Sequence, residues 1–181
     1  LLLHEKYGNK IKIRVDANQG YTLSKLIKFI NATEKTGLEL IEQPLPVDKE
    51  TDLLLLEQKH RNKLAADESL HNAKAAINLA GLNHPFGIYN IKLMKCGGIL
   101  GAREIANIAN SAGISLFWGC NDESIISITA SLHVAYSCPH THYLDLDGSF
   151  DLAEDLVKGG FEIKNGLLMI NKQPGFGYEW I

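Results

Sequence analysis

The sequence predicts an α/β protein of the (β/α)8 TIM-barrel type, truncated to about six βα units that correspond to strands three to eight. Two observations predict it. Short apolar runs alternate with amphipathic segments along the 181 residues, which is the signature of parallel strands joined by helices. A polar residue or a glycine also recurs at each strand's C-terminal end, at Asp16, Glu42, Asp67, Lys92, Gly119 and Asp145, in steps of 26, 25, 25, 27 and 26 residues. Such a register fits a barrel, whose active site is assembled from the ends of several strands. An open doubly wound sheet concentrates its site at one switch point instead. Eight units occupy about 250 residues, so the expectation is a barrel without its first two strands.

The elements follow in order. LLLHEKYGNK reads as a solvated connection, and without a cationic segment leading into a long apolar run it predicts neither a signal peptide nor a membrane span. IKIRV (11–15) is the first strand and runs into Asp16. YTLSKLIKFINATEKTG is the helix after it: Thr22 is its N-cap, Leu23, Leu26, Ile27 and Ile30 recur at helical spacing, and Gly37 stops it. LELIE (38–42) completes a βαβ unit. KLAAD, YNIKL, ISLFW and HYLDL are further strands, with GAREIANIANSAG and ESIISITASLHVAYS among the intervening helices. Gly97 and Gly98 read as turn residues, since GGILG lacks the full phosphate-binding fingerprint. Phe117 and Trp118 close a buried strand. KGGFEIKNGLLMINKQPGFGYEW loses the βα rhythm and reads as a small β-rich tail folding back over the barrel. The predicted division is residues 1–150 as the partial barrel and 151–181 as the tail.

Composition narrows the function. With 45% hydrophobic and 22% charged residues the chain has an ordinary globular balance. A formal charge of −3, a pI near 6.2 and no block of Lys or Arg give no basis for nucleic-acid or membrane-surface binding, which leaves a small-molecule substrate. Cys96, Cys120 and Cys138 are few, odd in number and far apart, as expected of reduced thiols in a cytoplasmic protein. His140 and His142 share a metal-like spacing, but without a third ligand nearby they read as surface or loop-packing residues.

The strand ends carry the chemistry. Any one of Asp16, Glu42 and Asp67 can be read as a helix cap, but three carboxylates converging in register repel one another and call for a hard cation, of which Mg2+ is the natural choice. The alternation of NIKLMK turns Lys92 to the face opposite Leu93. A lysine at a barrel mouth, close to a metal and poorly solvated, is expected to have a lowered pKa and to serve as a base. Lys95, beyond the strand end, is expected to pair with an acid or support the site. Asp145 and Asp147 in YLDLD share a strand face and can hold one cation between them; the other reading is a solvated strand end leading into a turn. A metal facing a lysine across a small carboxylate fits abstraction of the proton alpha to that carboxylate, chemistry that enolase-type enzymes are known to use.

RVDANQG, IEQP, ADES and NIKLMKCGGI, in this order, together with the closing PGFG, resemble the strand-end motifs of the enolase superfamily. The resemblance is to its muconate-lactonizing subgroup, and within it to dipeptide epimerases of the L-Ala-D/L-Glu type. It implies that Asp16, Glu42 and Asp67 are magnesium ligands, that Lys92 is one of two catalytic lysines, and that Asn18 and Glu68 orient the ligands. It also implies substrate contacts from Cys120, Asn121 and Asp122, with Glu123 just behind them, and an Asp145–Asp147 pair that receives the ammonium group of a dipeptide. The family's N-terminal capping domain, its first two barrel strands and their K-x-K motif have no counterpart here; KIKIRV looks like K-x-K but leads straight into Asp16. The expectation is therefore a fragment of a Mg2+-dependent epimerase, incomplete alone, which either homo-oligomerises or joins a missing N-terminal portion. Two alternatives stand beside it. One is a cycloisomerase or o-succinylbenzoate synthase of the same subgroup, against which YLDLD argues. The other is a non-catalytic metal-binding or assembly fragment.

Overall fold

Six short runs rich in branched and aromatic residues form one parallel sheet in chain order: β1 (Ile13–Asp16), β2 (Leu38–Glu42), β3 (Leu64–Ala66), β4 (Ile88–Ile91), β5 (Ser115–Trp118) and β6 (Thr141–Leu144). The computed structural model describes residues 2–81 and 83–181. The helices are α1 (Leu2–Tyr7), α2 (Leu23–Thr33), α3 (Gln58–Arg61), α4 (Ala73–Leu79), α5 (Leu93–Cys96), α6 (Gly98–Ala112) and α7 (Ile125–Ser137). No helix among the described residues is long and apolar enough to cross a membrane.

The sheet is a curled half-barrel. Its two outer strands are not paired, yet Arg14 on β1 donates through Nη1 to the Leu144 carbonyl on β6 at 3.3 Å. Alternation along the strands splits the apolar residues between two layers. Leu40, Ala65, Ile88 and Phe117, with Tyr143 against them, fill the concave side. Leu26, Ile41, Leu64, Ala66, Tyr89, Ile105, Leu116 and Trp118 belong to the larger core, which the helices cover. The concave layer forms the floor beneath the strand ends.

Local signals in the sequence account for most boundaries. Thr22 caps α2 by accepting from the Lys25 N–H at 3.4 Å, and Gly37 follows the helix at φ 68°. Asn72 caps α4 in the same way, accepting from the Ala75 N–H at 3.0 Å. Asn72→Ala is expected to cost about 1 kcal/mol, read as a lower denaturation midpoint with an unchanged slope.

Three elements differ from expectation. Residues 2–7 are helical, although the helix buries none of its side chains. Between β2 and β3 the chain forms a 3-10 segment, Glu50–Leu55, and the one-turn α3 in place of one longer helix. Gly97 is a turn residue at φ 86°, but Gly98 already opens α6. The tail forms two antiparallel pairs, β7 (Val157–Gly159) with β10 (Tyr178–Trp180) and β8 (Phe161–Lys164) with β9 (Leu167–Ile170). β7 and β9 lie against α7. Asp155 fastens the tail to the start of that helix, accepting from Ser124 Oγ and the Ile125 N–H at 2.7 Å each.

Candidate active site

The parallel register sets the site. Asp16 pairs with Glu42, and Glu42 with Ala65 two residues before Asp67, so three carboxylates stand side by side at the C-terminal ends of β1, β2 and β3. Asp16, Glu42, Asn90, Lys92, Phe117, Gly119, Cys120, Asp145 and Asp147 line one cavity of about 160 Å3. Roomier hollows lie on other faces, among them one bordered by Ile77, Ile108 and Ala112, but none gathers this chemistry.

Glu42 is buried, and its pKa is pushed up to about 7, first by burial and then by the Asp67 and Asp16 carboxylates; the Asn90 amide works in the other direction. Asn90 Nδ2 donates to Glu42 Oε1 at 2.5 Å, while its Oδ1 is buried without a partner. Gly119 is required opposite it, because a Cβ there would overlap the Asn90 amide.

Asp67 is held by two lysines. Lys92 Nζ lies 3.0 Å from Oδ2, and Lys95 Nζ pairs with Oδ1 and donates to the Asp67 carbonyl at 2.9 Å. Lys95 therefore touches the acid directly. Burial pulls the Lys92 ammonium down, but the carboxylates of Asp67, Glu42 and Asp16 outweigh it and hold the pKa above the ordinary lysine value. The expected lowering supposes a metal beside the lysine, and in this arrangement the shift runs the other way. The physical reason is the Asp67 ion pair, which a strand-end reading cannot foresee. With Asp67 so engaged, no group of three or more His, Cys, Asp or Glu side chains among the described residues is assembled to hold a metal.

The donor set nonetheless fits a hard divalent cation. All three groups are carboxylates at adjacent strand ends, and after burial the Asp67 and Asp16 charges add to the rise in the Glu42 pKa. Two ammonium groups now offset that charge.

Across the cavity, Asp145 and Asp147 follow β6. Burial, and then Asp147 beside it, raise the pKa of Asp145, so this pair too favours a cation. Cys120 Sγ accepts from the Gly148 N–H at 3.3 Å and lies 3.3 Å from the Asp145 carbonyl, which ties the ends of β5 and β6 together. Burial raises its thiol pKa to about 11, so it stays protonated near neutral pH. Asn121 and Asp122 are exposed and do not line the cavity. Glu123 is buried and accepts from the Asn121 N–H at 2.8 Å.

Asn18 contributes its backbone, with the N–H donating to Asp16 Oδ1 at 2.9 Å. Glu68 Oε1 accepts from Gln19 Nε2 at 3.1 Å. Asn18, Gln19 and Gln43 all have positive φ, at 41°, 64° and 31°, a setting that side-chain-bearing residues rarely adopt and that clusters at functional sites. Sequence reasoning missed Gln19, Gln43 and Asn90. The last was within reach, because residues 88, 90 and 92 share a face.

Residues 2–181 match a family model described as enolase C-terminal domain-like. The chain is 49% identical over 175 residues to the L-Lys-D/L-Arg epimerase of Methylococcus capsulatus, covering 97% of this chain and 49% of that protein. It is 50% identical over 180 residues to the L-Lys-D/L-Arg epimerase of Desulforapulum autotrophicum, covering 99% of this chain and 50% of that one. The crystal structure of the Methylococcus capsulatus dipeptide epimerase, complexed with Mg and the dipeptide L-Arg-D-Lys, superposes with a TM-score of 0.95 at 48% identity, over 99% of this chain and 51% of that one. The chain spans about half the length of the curated relatives it matches.

Proposed function

The chain belongs to the enolase C-terminal domain-like family, and on that premise we propose that the intact protein is a Mg2+-dependent dipeptide epimerase that removes and returns the proton alpha to a carboxylate. The observation that carries this reading is one cavity lined by Asp16, Glu42 and Lys92 on one side and by Asp145 and Asp147 on the other. A carboxylate-binding end and an ammonium-binding end face each other, as a dipeptide zwitterion requires.

Asp16, Glu42 and Asp67 would hold the magnesium ion, which when bound supplies positive charge beside the substrate carboxylate. Asp145 and Asp147 receive the N-terminal ammonium group and fix the orientation of the dipeptide. Lys92 takes the α-proton onto Nζ. Turning Asp67 away from Lys92 would remove the largest of the influences that raise its pKa, while burial acts in the direction of a working base. Lys95 keeps its bond to the Asp67 carbonyl and so holds the end of β3 while the carboxylate turns. Inversion also needs a proton donor on the opposite face, and Lys92 is the only lysine among the described residues lining the cavity.

The finer reading is a dipeptide with cationic side chains, supported by the names of the two relatives at 49% and 50% identity. A cycloisomerase fits less well, since its substrate offers no ammonium group to the Asp145–Asp147 pair.

In the intact protein, Asp147→Asn is expected to lower kcat/KM for dipeptides by about 1.5–3 kcal/mol in transition-state terms, while a substrate analogue without the amino group is unaffected. Equal losses on both would assign Asp147 to folding instead. L-Lys-L-Arg should be turned over faster than L-Ala-L-Glu; the reverse order overturns the cationic reading and leaves the reaction class standing.

A further inference from the structure

Gln43 follows Glu42 in the chain and is fully buried. Its side-chain amide satisfies four hydrogen-bonding partners. Oε1 accepts from the Asp67 N–H at 3.0 Å and from the Ser69 N–H at 3.1 Å. Nε2 donates to the Leu45 carbonyl at 3.0 Å and to Ser69 Oγ at 2.8 Å. The network continues outward, because Ser69 Oγ donates in turn to Glu50 Oε1 at 2.7 Å. The Gln43 main chain is fixed as well: its N–H donates to the Ala65 carbonyl at 2.8 Å, and its carbonyl accepts from the Gln19 N–H at 2.7 Å.

From these bonds we infer that Gln43 is the positioning residue that sets Asp67 against Glu42, and so fixes the spacing of the carboxylate set; its consequence for metal binding rests on the function proposed above. β3 is only three residues long, and its register with β2 ends at Glu42↔Ala65. Beyond that point no strand ladder holds Asp67. The Gln43 amide takes over there, joining the residue next to one carboxylate to the backbone of the next. An apolar side chain of similar length fills the space but leaves two buried N–H groups without an acceptor and loosens Asp67, since the ladder with β4 also stops short of it, at Ala66↔Tyr89. Gln43 itself does not line the cavity, so it acts through Asp67 and not on substrate.

The test uses the intact protein, with Mn2+ as the probe ion, titrated by calorimetry against wild type, Gln43→Met and Ser69→Ala. Amide hydrogen exchange is followed at Asp67 and Ser69. Gln43→Met is expected to weaken Mn2+ binding by about 10–100-fold, the usual range for groups behind metal ligands, with wild-type circular dichroism and faster exchange at both amides. Ser69→Ala keeps both acceptor bonds of Oε1, and its loss should be smaller. Mn2+ affinity within twofold of wild type in Gln43→Met overturns the inference. Should Gln43→Met fail to fold, Gln43→Asn, whose shorter amide cannot keep both Oε1 bonds, takes its place, and unchanged affinity with unchanged Asp67 exchange in it overturns the inference. Failure of wild type to bind Mn2+ strikes the metal reading instead, and the positioning role is then decided by the exchange rates alone.

Discussion

With Lys92 replaced by alanine, the epimerisation proposed for the intact protein is expected to slow by about two to four orders of magnitude in kcat, the contribution usual for a positioned acid–base group. The side chain is mostly buried, projects into the cavity beside Asp16 and Glu42, and is paired with Asp67. On the proposed function, removing it deletes the base and leaves the carboxylates in place, so Mg2+ binding is expected to persist in the variant. Proton nuclear magnetic resonance in D2O makes the role visible one stereoisomer at a time. On the proposed function, wild type is expected to exchange the α-proton of both epimers, and the variant to lose the exchange of the isomer whose proton faces Lys92. If that isomer exchanges at the wild-type rate in the variant, Lys92 does not transfer the proton.

Glu42→Gln has opposite effects on stability and on metal binding. In the metal-free protein the Glu42 carboxyl has a pKa of about 7 against an ordinary 4.5. Below about pH 4.5 the group is neutral whether the chain is folded or not, and burial costs nothing extra. As pH rises toward 7 the unfolded chain ionises first, so folding loses stability across that window and bears the full cost above it. The cost is about 3 kcal/mol at most. An amide at this position has no charge to bury, so the variant without metal should be more stable than wild type at pH 8 and should lack the decline between pH 4.5 and 7. Its Mg2+ affinity should fall more than the roughly 100-fold seen at most for groups behind the ligands. A variant less stable than wild type at pH 8 that still binds Mg2+ normally would contradict both halves.

The strand-end register of Asp16, Glu42, Asp67, Lys92 and Asp145 was legible because a parallel βα repeat returns the chain to the same rim once per unit. The caps at Thr22 and Asn72 show why local signals are dependable: each needs only residues three positions apart. Gln43 escaped because its partners Asp67 and Ser69 lie 24 and 26 residues away and its backbone adopts a left-handed turn that no neighbour announces. The charge state of Lys92 escaped for a related reason. Alternation says which face a lysine takes, and it says nothing of whether Asp67 turns toward it. Asn121 and Asp122 were assigned through the resemblance, by their place after a strand, and the chain bends at these two residues and leaves both exposed.

Arg14 makes the curled sheet behave as a gauge. Its Nε is anchored by Glu39 at 2.7 Å, its guanidinium lies 5.7 Å from the Phe117 ring centre and 5.2 Å from that of Tyr143, and its tip reaches the Leu144 carbonyl. Two residues beyond Arg14 stands Asp16, and one beyond Leu144 stands Asp145. The same guanidinium therefore lies under both ends of the cavity, although no strand pairing connects them. Widening the gap between the carboxylate set and the acid pair would break the bond to Leu144 and lift a cation off two aromatic faces. Each such contact is worth about 0.5–1 kcal/mol where water reaches it. The spacing between the carboxylate set and the acid pair is thus biased from the floor, by several contacts that are each comparable with thermal energy and that act together through one guanidinium.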